Sequence, residues 1–512
     1  MREKELIPEA DISNEFTEEH SYTIPKDYQK GIPGDLKLAS KLVIVTELCE
    51  RFTFYGISVM LPSYLIDVFG LTSSETVFRA KAFSFLAYFF TIVGAIVADE
   101  WFGKFKTVMI FSIWYFVGTV ILSVTSMDFL SVSGKNIGFI VAIYAFIAFG
   151  TGGIKANVSS FVAEQVDPVF KKTKNPGIYI DPKLAIERCY RYFYWAINTG
   201  AILGLAVCPQ LAKRTGYASG YWSTAAVNFV GFGIFFLGRS KYKMINPSES
   251  AIKKVYRVIS YARKNKKTDS VHWLDAAKGV NSPQWNDEFV EGLKGSIKAV
   301  KILCFLPIYW MLYMNVTDNF ILQARRMKEP SWISSDQLIL LVQLTLVILI
   351  PLYDYFFIPF LRFRNIKFGP IKRITIGFVL ITIGFIYTII TQKRIYNSPP
   401  YFNFTAPGSN LDQKNNISLW WQIPSFIFLG SSEIFASVTS LEIAFALSPP
   451  ELKSLLNSLS LFTICLGNLL GMTLSKFSYD PIILNVYIGE ACAMIITTII
   501  FYFCFRTFDK TY

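Results

Sequence analysis

Long apolar runs separated by short polar stretches dominate the chain. A run of about 20 residues crosses the ~30 Å hydrocarbon layer of a bilayer as a helix. Such runs fall near 40–68, 80–99, 107–126, 137–162, 188–211 and 220–239. A polar stretch over 240–297 follows, and six more apolar runs lie near 299–324, 337–361, 371–391, 418–447, 454–477 and 482–506. The pattern predicts an all-α membrane protein with twelve transmembrane helices in two six-helix bundles. Spanning strands are set aside, because lipid offers no hydrogen-bond partner to an open sheet edge. The expected organisation is a disordered tail over 1–35, a first bundle over 36–239, a linker over 240–297, a second bundle over 298–506 and a tail over 507–512.

Composition agrees with this reading. Hydrophobic residues make up 52% of the 512 positions and charged residues only 17%, against about 25% in soluble domains. The net charge of +13 would suggest nucleic acid in a soluble protein. Here the basic residues gather in connections instead. The 240–297 stretch holds Lys241, Lys243, Lys253, Lys254, Arg257, Arg263, Lys264, Lys266 and Lys267, and the connection after the eighth run holds Arg362, Arg364, Lys367, Lys372 and Arg373. Both fall on one side, which the positive-inside rule assigns to the cytoplasm. Both termini then lie inside and 392–417 lies outside. That outer connection carries two glycosylation triplets, at Asn403 and Asn416. The plasma membrane is the expected location. Nucleic acid is not an expected partner.

Other chemistry is thinly represented. The polar start of the chain lacks the basic and apolar segments of a signal peptide. No G-x-x-x-x-G-K-[S/T] loop is present, so nucleotide-driven transport has no support. Cys49, Cys189, Cys208, Cys304, Cys465, Cys492 and Cys504 lie in or beside apolar runs and form no C-x-x-C pair. The only histidines are His20 and His272, both in polar stretches, so no metal site is expected. No cofactor and no enzymatic constellation is evident.

Charge inside the apolar runs is the informative exception. Glu47, Arg51 and Tyr55 recur every four residues in the first run, with Glu50 beside them. A charge near the bilayer centre costs about 2.5–3.5 kcal/mol on insertion scales, so such groups face a protein interior or a wet cavity. Lys155 is a further cation in an apolar run, and Glu433 an anion in the second half. On residue type alone, Arg51 and Lys155 either neutralise Glu47 and Glu50 structurally or form a network that a ligand switches. Glu433 is either a packing residue or a ligand for a cation. Glu442 and Glu490 are read as structural or near a helix end.

The run Glu47-Leu48-Cys49-Glu50-Arg51-Phe52-Thr53-Phe54-Tyr55-Gly56 resembles the E-x-x-E-R-F-x-Y-Y-G signature of the proton-coupled oligopeptide transporter family, with Phe54 in place of the first Tyr. Gly94–Thr107, Gly150–Ser159 and Phe193–Gly200 are similar to further signatures of that family. With Glu433 and Leu452-Lys453-Ser454, the resemblance spans nearly the whole chain and looks most like the fungal branch. It implies the major facilitator superfamily fold and a proton-coupled symporter importing di- and tripeptides by alternating access, as a monomer whose partners are protons, short peptides and the bilayer. Within the resemblance, Glu47, Glu50, Arg51 and Lys155 couple protons. Arg51, Tyr55, Tyr88, Lys155, Asn198, Trp310 and Glu433 bind substrate, with Glu433 on the peptide amino terminus. Asp99, Gly103, Lys104 and Lys106 form a conformational latch between the second and third helices.

The chain departs from the family pattern at four places. Tyr313 and Met314 stand where the seventh helix often has an acid, and Asp318 is the nearest one. Val342 stands where the eighth offers an Asn, and Ser460 where the eleventh brings a Trp. Lys81 replaces the second-helix histidine of the animal branch. Two alternatives stay open: the same fold carrying nitrate, an amino acid or another small anion, or a nutrient sensor that binds without transport. Only Arg506 to Tyr512 follow the last apolar run, which weighs against signalling tails.

Overall fold

The computed structural model describes residues 20–21, 24–245, 251–265, 272–279, 285–364, 368–410, 413–449 and 452–508. Most of the expected 1–35 tail, parts of the linker and residues 509–512 therefore lie outside the described residues. Six spans form the first half: Leu38–Phe69, Ser73–Val97, Gly103–Thr125, Val132–Glu164, Pro182–Thr215 and Tyr217–Leu237. Six form the second: Leu306–Arg325, Ser335–Phe357, Pro370–Tyr396, Leu419–Ala444, Lys453–Leu474 and Ile483–Phe505. They are called the first to twelfth spans below.

Local chemistry sets the span ends. Gly70 closes the first span with φ +64°, a left-handed position where a Cβ would be strained. Thr72 opens the second with a capping box: its Oγ1 accepts from Glu75 N, and Glu75 accepts from Thr72 N. Asp181 caps the fifth span by accepting from Lys183 N at 2.8 Å, with Pro182 in the first turn, where a missing N–H costs nothing. The second and third spans run on through a widened turn at Ala98–Phe102 as one 53-residue helical stretch.

In a bilayer no hydrophobic force pulls helices together, so close packing must do so, and small residues permit it. Gly200 and Gly204 of the fifth span face the first. A Cβ on Gly200 would lie 2.3 Å from Leu48 O, and one on Gly204 2.4 Å from Phe52 O. Gly94 of the second span meets Gly153 of the fourth, where a Cβ would lie 2.5 Å from Gly153 Cα. The two halves meet where the second span packs on the eleventh and the fifth on the eighth.

Three features differ from the sequence reading. The seventh span does not run straight from 299. Asp287–Leu303 is a separate helix, bent by 42° from Leu306–Arg325. Pro307 sits in the first turn after the break, so no continuous helix passes through it. The 240–297 linker is also built: Ala251–Lys264 and Asp287–Leu303 bury Val258, Ala262, Leu274, Trp285, Phe289 and Leu293 with Leu452 of the second half. Finally, residues placed in the disordered tail are ordered. Strands β1 (His20–Ser21), β2 (Lys30–Ile32), β3 (Phe170–Lys172) and β4 (Ile178–Ile180) form a small sheet in the order β1-β3-β4-β2. β2 runs parallel to β4, and Tyr179 donates to Asp27 at 2.6 Å. This sheet lies on the face where the first span begins and the twelfth span ends, which also carries the linker helix Ala251–Lys264.

Candidate functional site

The first span is 32 residues long, and Glu47, Glu50 and Arg51 sit near its middle. All three are buried, between 4% and 8% exposed. Arg51 Nε meets Glu47 Oε1 at 3.1 Å, and Arg51 Nη2 makes a short ion pair with Glu50 Oε2. Glu50 Oε1 accepts from Thr151 Oγ1 of the fourth span at 2.6 Å. The close contact of Gly200 with Leu48 and Arg51 Cβ fixes where this stripe faces.

Lys155 lies one turn beyond Thr151. Its Nζ is 3.3 Å from the centre of the Phe54 ring and 4.4 Å from that of Tyr88. This nitrogen is buried with no hydrogen-bond partner among the described residues. Two aromatic faces stabilise a cation by about 0.5–2 kcal/mol each. They offer it no oxygen.

The second half supplies the opposing anion. Glu433 in the tenth span accepts a short hydrogen bond from Tyr313 Oη of the seventh. Tyr309 Oη and Ser432 Oγ are 3.1 Å apart beside it. Trp310 packs edge-on against Tyr313, ring centres 5.3 Å apart, and its indole N–H is buried with no hydrogen-bond partner among the described residues. Tyr55 and Tyr88 of the first half each lie within electrostatic range of both Arg51 and Glu433. Asn198 donates to Tyr194 O at 2.8 Å, and Tyr194 is in range of Glu433 and Tyr55. The seven residues read from the sequence as a binding set thus converge on one region between the halves.

Other residues of this region were not singled out from sequence. Thr151 and Tyr194 lie within the Gly150–Ser159 and Phe193–Gly200 signatures, but the resemblance gives them no role there, and Tyr309 carries no signal beyond residue type. Tyr313 was noted only as the place of a missing acid. Its phenol covers Glu433, which gives that departure a physical role.

On the terminal face, Lys104 makes a short ion pair with Glu164 at the end of the fourth span, and Asp99 lies in electrostatic range of both. Gly103 has φ +74°, and Lys106 is exposed. Glu100 accepts from Lys253 of the linker at 2.7 Å. On the opposite face, several polar ties join the halves. Ser63 donates to Asp336 at 2.6 Å, Arg325 to Asp67 at 2.5 Å and Gln210 to Gln337 at 2.6 Å. A cavity of about 820 Å³ lies over this seam, lined by Asp67, Lys213, Arg325, Glu329 and Asp336. It includes none of the central charges. Asn403 and Asn416 are exposed on this face. Among the described residues no group of three metal-ligating side chains occurs.

A family model described as the POT family matches residues 105–489. The probable peptide transporter ptr2 of Schizosaccharomyces pombe is 34% identical over 521 residues, covering 98% of this chain and 82% of that protein. Peptide transporter PTR2 of Saccharomyces cerevisiae is 30% identical over 524 residues, covering 98% and 84%. The crystal structure of the POT family transporter PepTSo superposes with a TM-score of 0.77 at 21% identity, covering 93% of this chain and 99% of that one.

Proposed function

The chain belongs to the POT family, and on that premise we propose that it is a proton-coupled symporter importing di- and tripeptides by alternating access. The observation that carries this reading is the placement of the Lys155 Nζ, buried with no hydrogen-bond partner among the described residues, and the guanidinium of Arg51 in one half opposite the carboxylate of Glu433 in the other. A short peptide is a zwitterion with charges at its two ends. Its carboxylate suits Lys155, whose Nζ lies against two aromatic faces and has no hydrogen-bond partner among the described residues. Its ammonium suits Glu433, where it displaces the Tyr313 hydroxyl. Tyr55, Tyr88 and Trp310 give apolar walls with few polar demands, which accommodates many side chains.

Proton coupling follows from the ion pairs. Arg51 and Lys155 together balance the charge of Glu47 and Glu50 while the site is empty. A peptide carboxylate competes for Lys155 and Arg51, and a dry carboxylate deprived of its counter-ion is held as the neutral acid. Proton and peptide therefore bind together. The halves then rock about the site, as expected for substrate held near the midplane between two bundles. The ties Ser63–Asp336 and Asp67–Arg325 belong to a state closed on the face opposite the termini. We assign that face to the outside, because the basic connections lie on the other. Both termini are then cytoplasmic, and Asn403 and Asn416 are available for glycosylation. We place the protein in the plasma membrane, as a monomer, with Asp99, Gly103, Lys104 and Lys106 forming a latch at the cytoplasmic ends of the second and third spans.

Arg51→Ala, Lys155→Ala and Glu433→Gln are each expected to abolish proton-driven dipeptide uptake in proteoliposomes, with the protein still inserted. Normal uptake in all three defeats the site assignment. Tyr313 over Glu433, in place of an acid, favours a second reading in which another small solute is carried. Competition of labelled dipeptide uptake by free amino acids and nitrate separates the two.

A further inference from the structure

Eight residues into the second span, about 12 Å below its outer end, Lys81 reaches across to the second half. Its stem lies along Gly471 of the eleventh span, where a Cβ would fall 2.7 Å from Lys81 Cδ and 2.8 Å from Cε. Lys81 Nζ then meets Asp318 Oδ2 of the seventh span at 3.0 Å, with the two side chains 2% and 1% exposed. Asp318 Oδ1 accepts from Asn319 N at 2.6 Å.

Glu490 of the twelfth span completes this cluster and is itself 2% exposed. Its Oε1 and Oε2 lie 3.2 and 3.1 Å from Asn315 Nδ2. The same nitrogen also reaches Met311 O at 3.0 Å and Leu312 O at 3.1 Å. An amide has two N–H groups for these four acceptors, so an ionised Glu490 is poorly served. The charged groups facing it are Lys81 and Asp318. Beside it on its own helix, Tyr487 donates to Asn319 O at 3.3 Å. From the ninth span, Tyr396 and Gln392 bind Asp480 instead, at 2.5 and 3.1 Å.

The count of charge is then simple. Two carboxylates and one ammonium, all dry, carry one negative charge too many, and a dry interior tolerates that poorly. One proton balances the cluster. We propose that Glu490 is a further proton-binding site, separate from Glu47 and Glu50, and that closing the outer face takes up one proton there. With the outer face open, water reaches the cluster and Glu490 is ionised. Closure draws Lys81 onto Asp318, expels the water and requires Glu490 as the neutral acid. Acidity outside therefore favours the closed outer face. The proposal rests on the inward and outward faces assigned above.

The test reads the outer face directly. Spin labels at Phe129→Cys and Tyr401→Cys, two exposed positions in opposite halves, report its opening by pulsed distance measurement in liposomes without peptide. Cys304, Cys492 and Cys504, the exposed native thiols, are replaced by Ala. The closed-to-open ratio is expected to fall about tenfold per unit rise of pH above the Glu490 transition, the slope of one proton. Glu490→Gln, which keeps the hydrogen bond to Asn315, is expected to lose that component, and Glu490→Asp to keep it. Lys81→Met leaves two acids without a cation, so closure then needs two protons and the slope steepens to about hundredfold per unit. The proposal is overturned if Glu490→Gln keeps the full pH response, or, should that variant not fold, if Lys81→Met leaves the slope unchanged. Peptide uptake is measured separately. Absent uptake with an intact pH response refutes the transporter reading alone.

Discussion

Thr151 shows how one hydroxyl holds a charge in place. It is fully buried and donates to Glu50 at 2.6 Å, so Glu50 is shared between a neutral donor and Arg51. A hydrogen bond to a charged group is worth about 1.5–3 kcal/mol. Thr151→Val keeps the shape and removes the donor. It is expected to destabilise the protein by about that amount, read as a lower thermal midpoint in detergent, and to reduce proton-driven uptake while Thr151→Ser retains it. Sequence shows Glu47, Glu50 and Arg51 readily, because all three lie within five residues of one helix. It does not show Thr151, 101 positions from Glu50, or the Tyr313 hydroxyl, 120 positions from Glu433. Thr151 lies in a recognisable run, Gly150–Ser159, yet neither pairing has a pattern of its own. Only the packing of separate spans brings them together.

At the scale of elements, glycines set the distances on which the site depends. Gly200 and Gly204 recur at the four-residue spacing that lets helix backbones touch, and Gly200 lies against both Leu48 O and Arg51 Cβ. Gly200→Ala forces the first and fifth spans apart at the level of Arg51. Overpacking of this kind costs about 1–3 kcal/mol, and the expected result is weaker peptide binding with a raised KM. Gly233→Ala, where an added Cβ meets nothing within 4 Å, is the matched control and is expected to leave both stability and uptake unchanged. The spans themselves were readable from hydropathy alone, since a helix in lipid needs about 20 apolar residues and little else. The break before Leu306 was not, because the residues on either side of it are equally apolar and only Pro307 marks it. The β2 strand was hidden for the opposite reason. Lys30-Gly31-Ile32 is too short and polar to signal a strand, and its partner lies about 150 positions away.

At the scale of the whole molecule, the arrangement of ties between halves defines the state. Ser63–Asp336, Asp67–Arg325, Gln210–Gln337 and Lys81–Asp318 all lie toward one face. None is local in sequence. Ser63 and Asp336, 273 positions apart, could not be paired by reading the chain. Alternating access requires that these ties part once in every cycle, whereas a protein that only binds ligand in this form has no such need. The Ser63–Asp336 contact separates the two cases, because both residues are buried at the seam and a cross-link there spans a few ångströms. Ser63→Cys with Asp336→Cys, joined by a short reducible bis-thiol reagent, is expected to stop net uptake and exchange of labelled dipeptide alike. Cleaving the link with reductant is expected to restore both. Each single variant carrying the same reagent is expected to transport, since nothing then holds the halves together. Transport through the cross-linked double variant would mean that the outer seam stays shut throughout the cycle, and alternating access about Arg51, Lys155 and Glu433 would have to be abandoned.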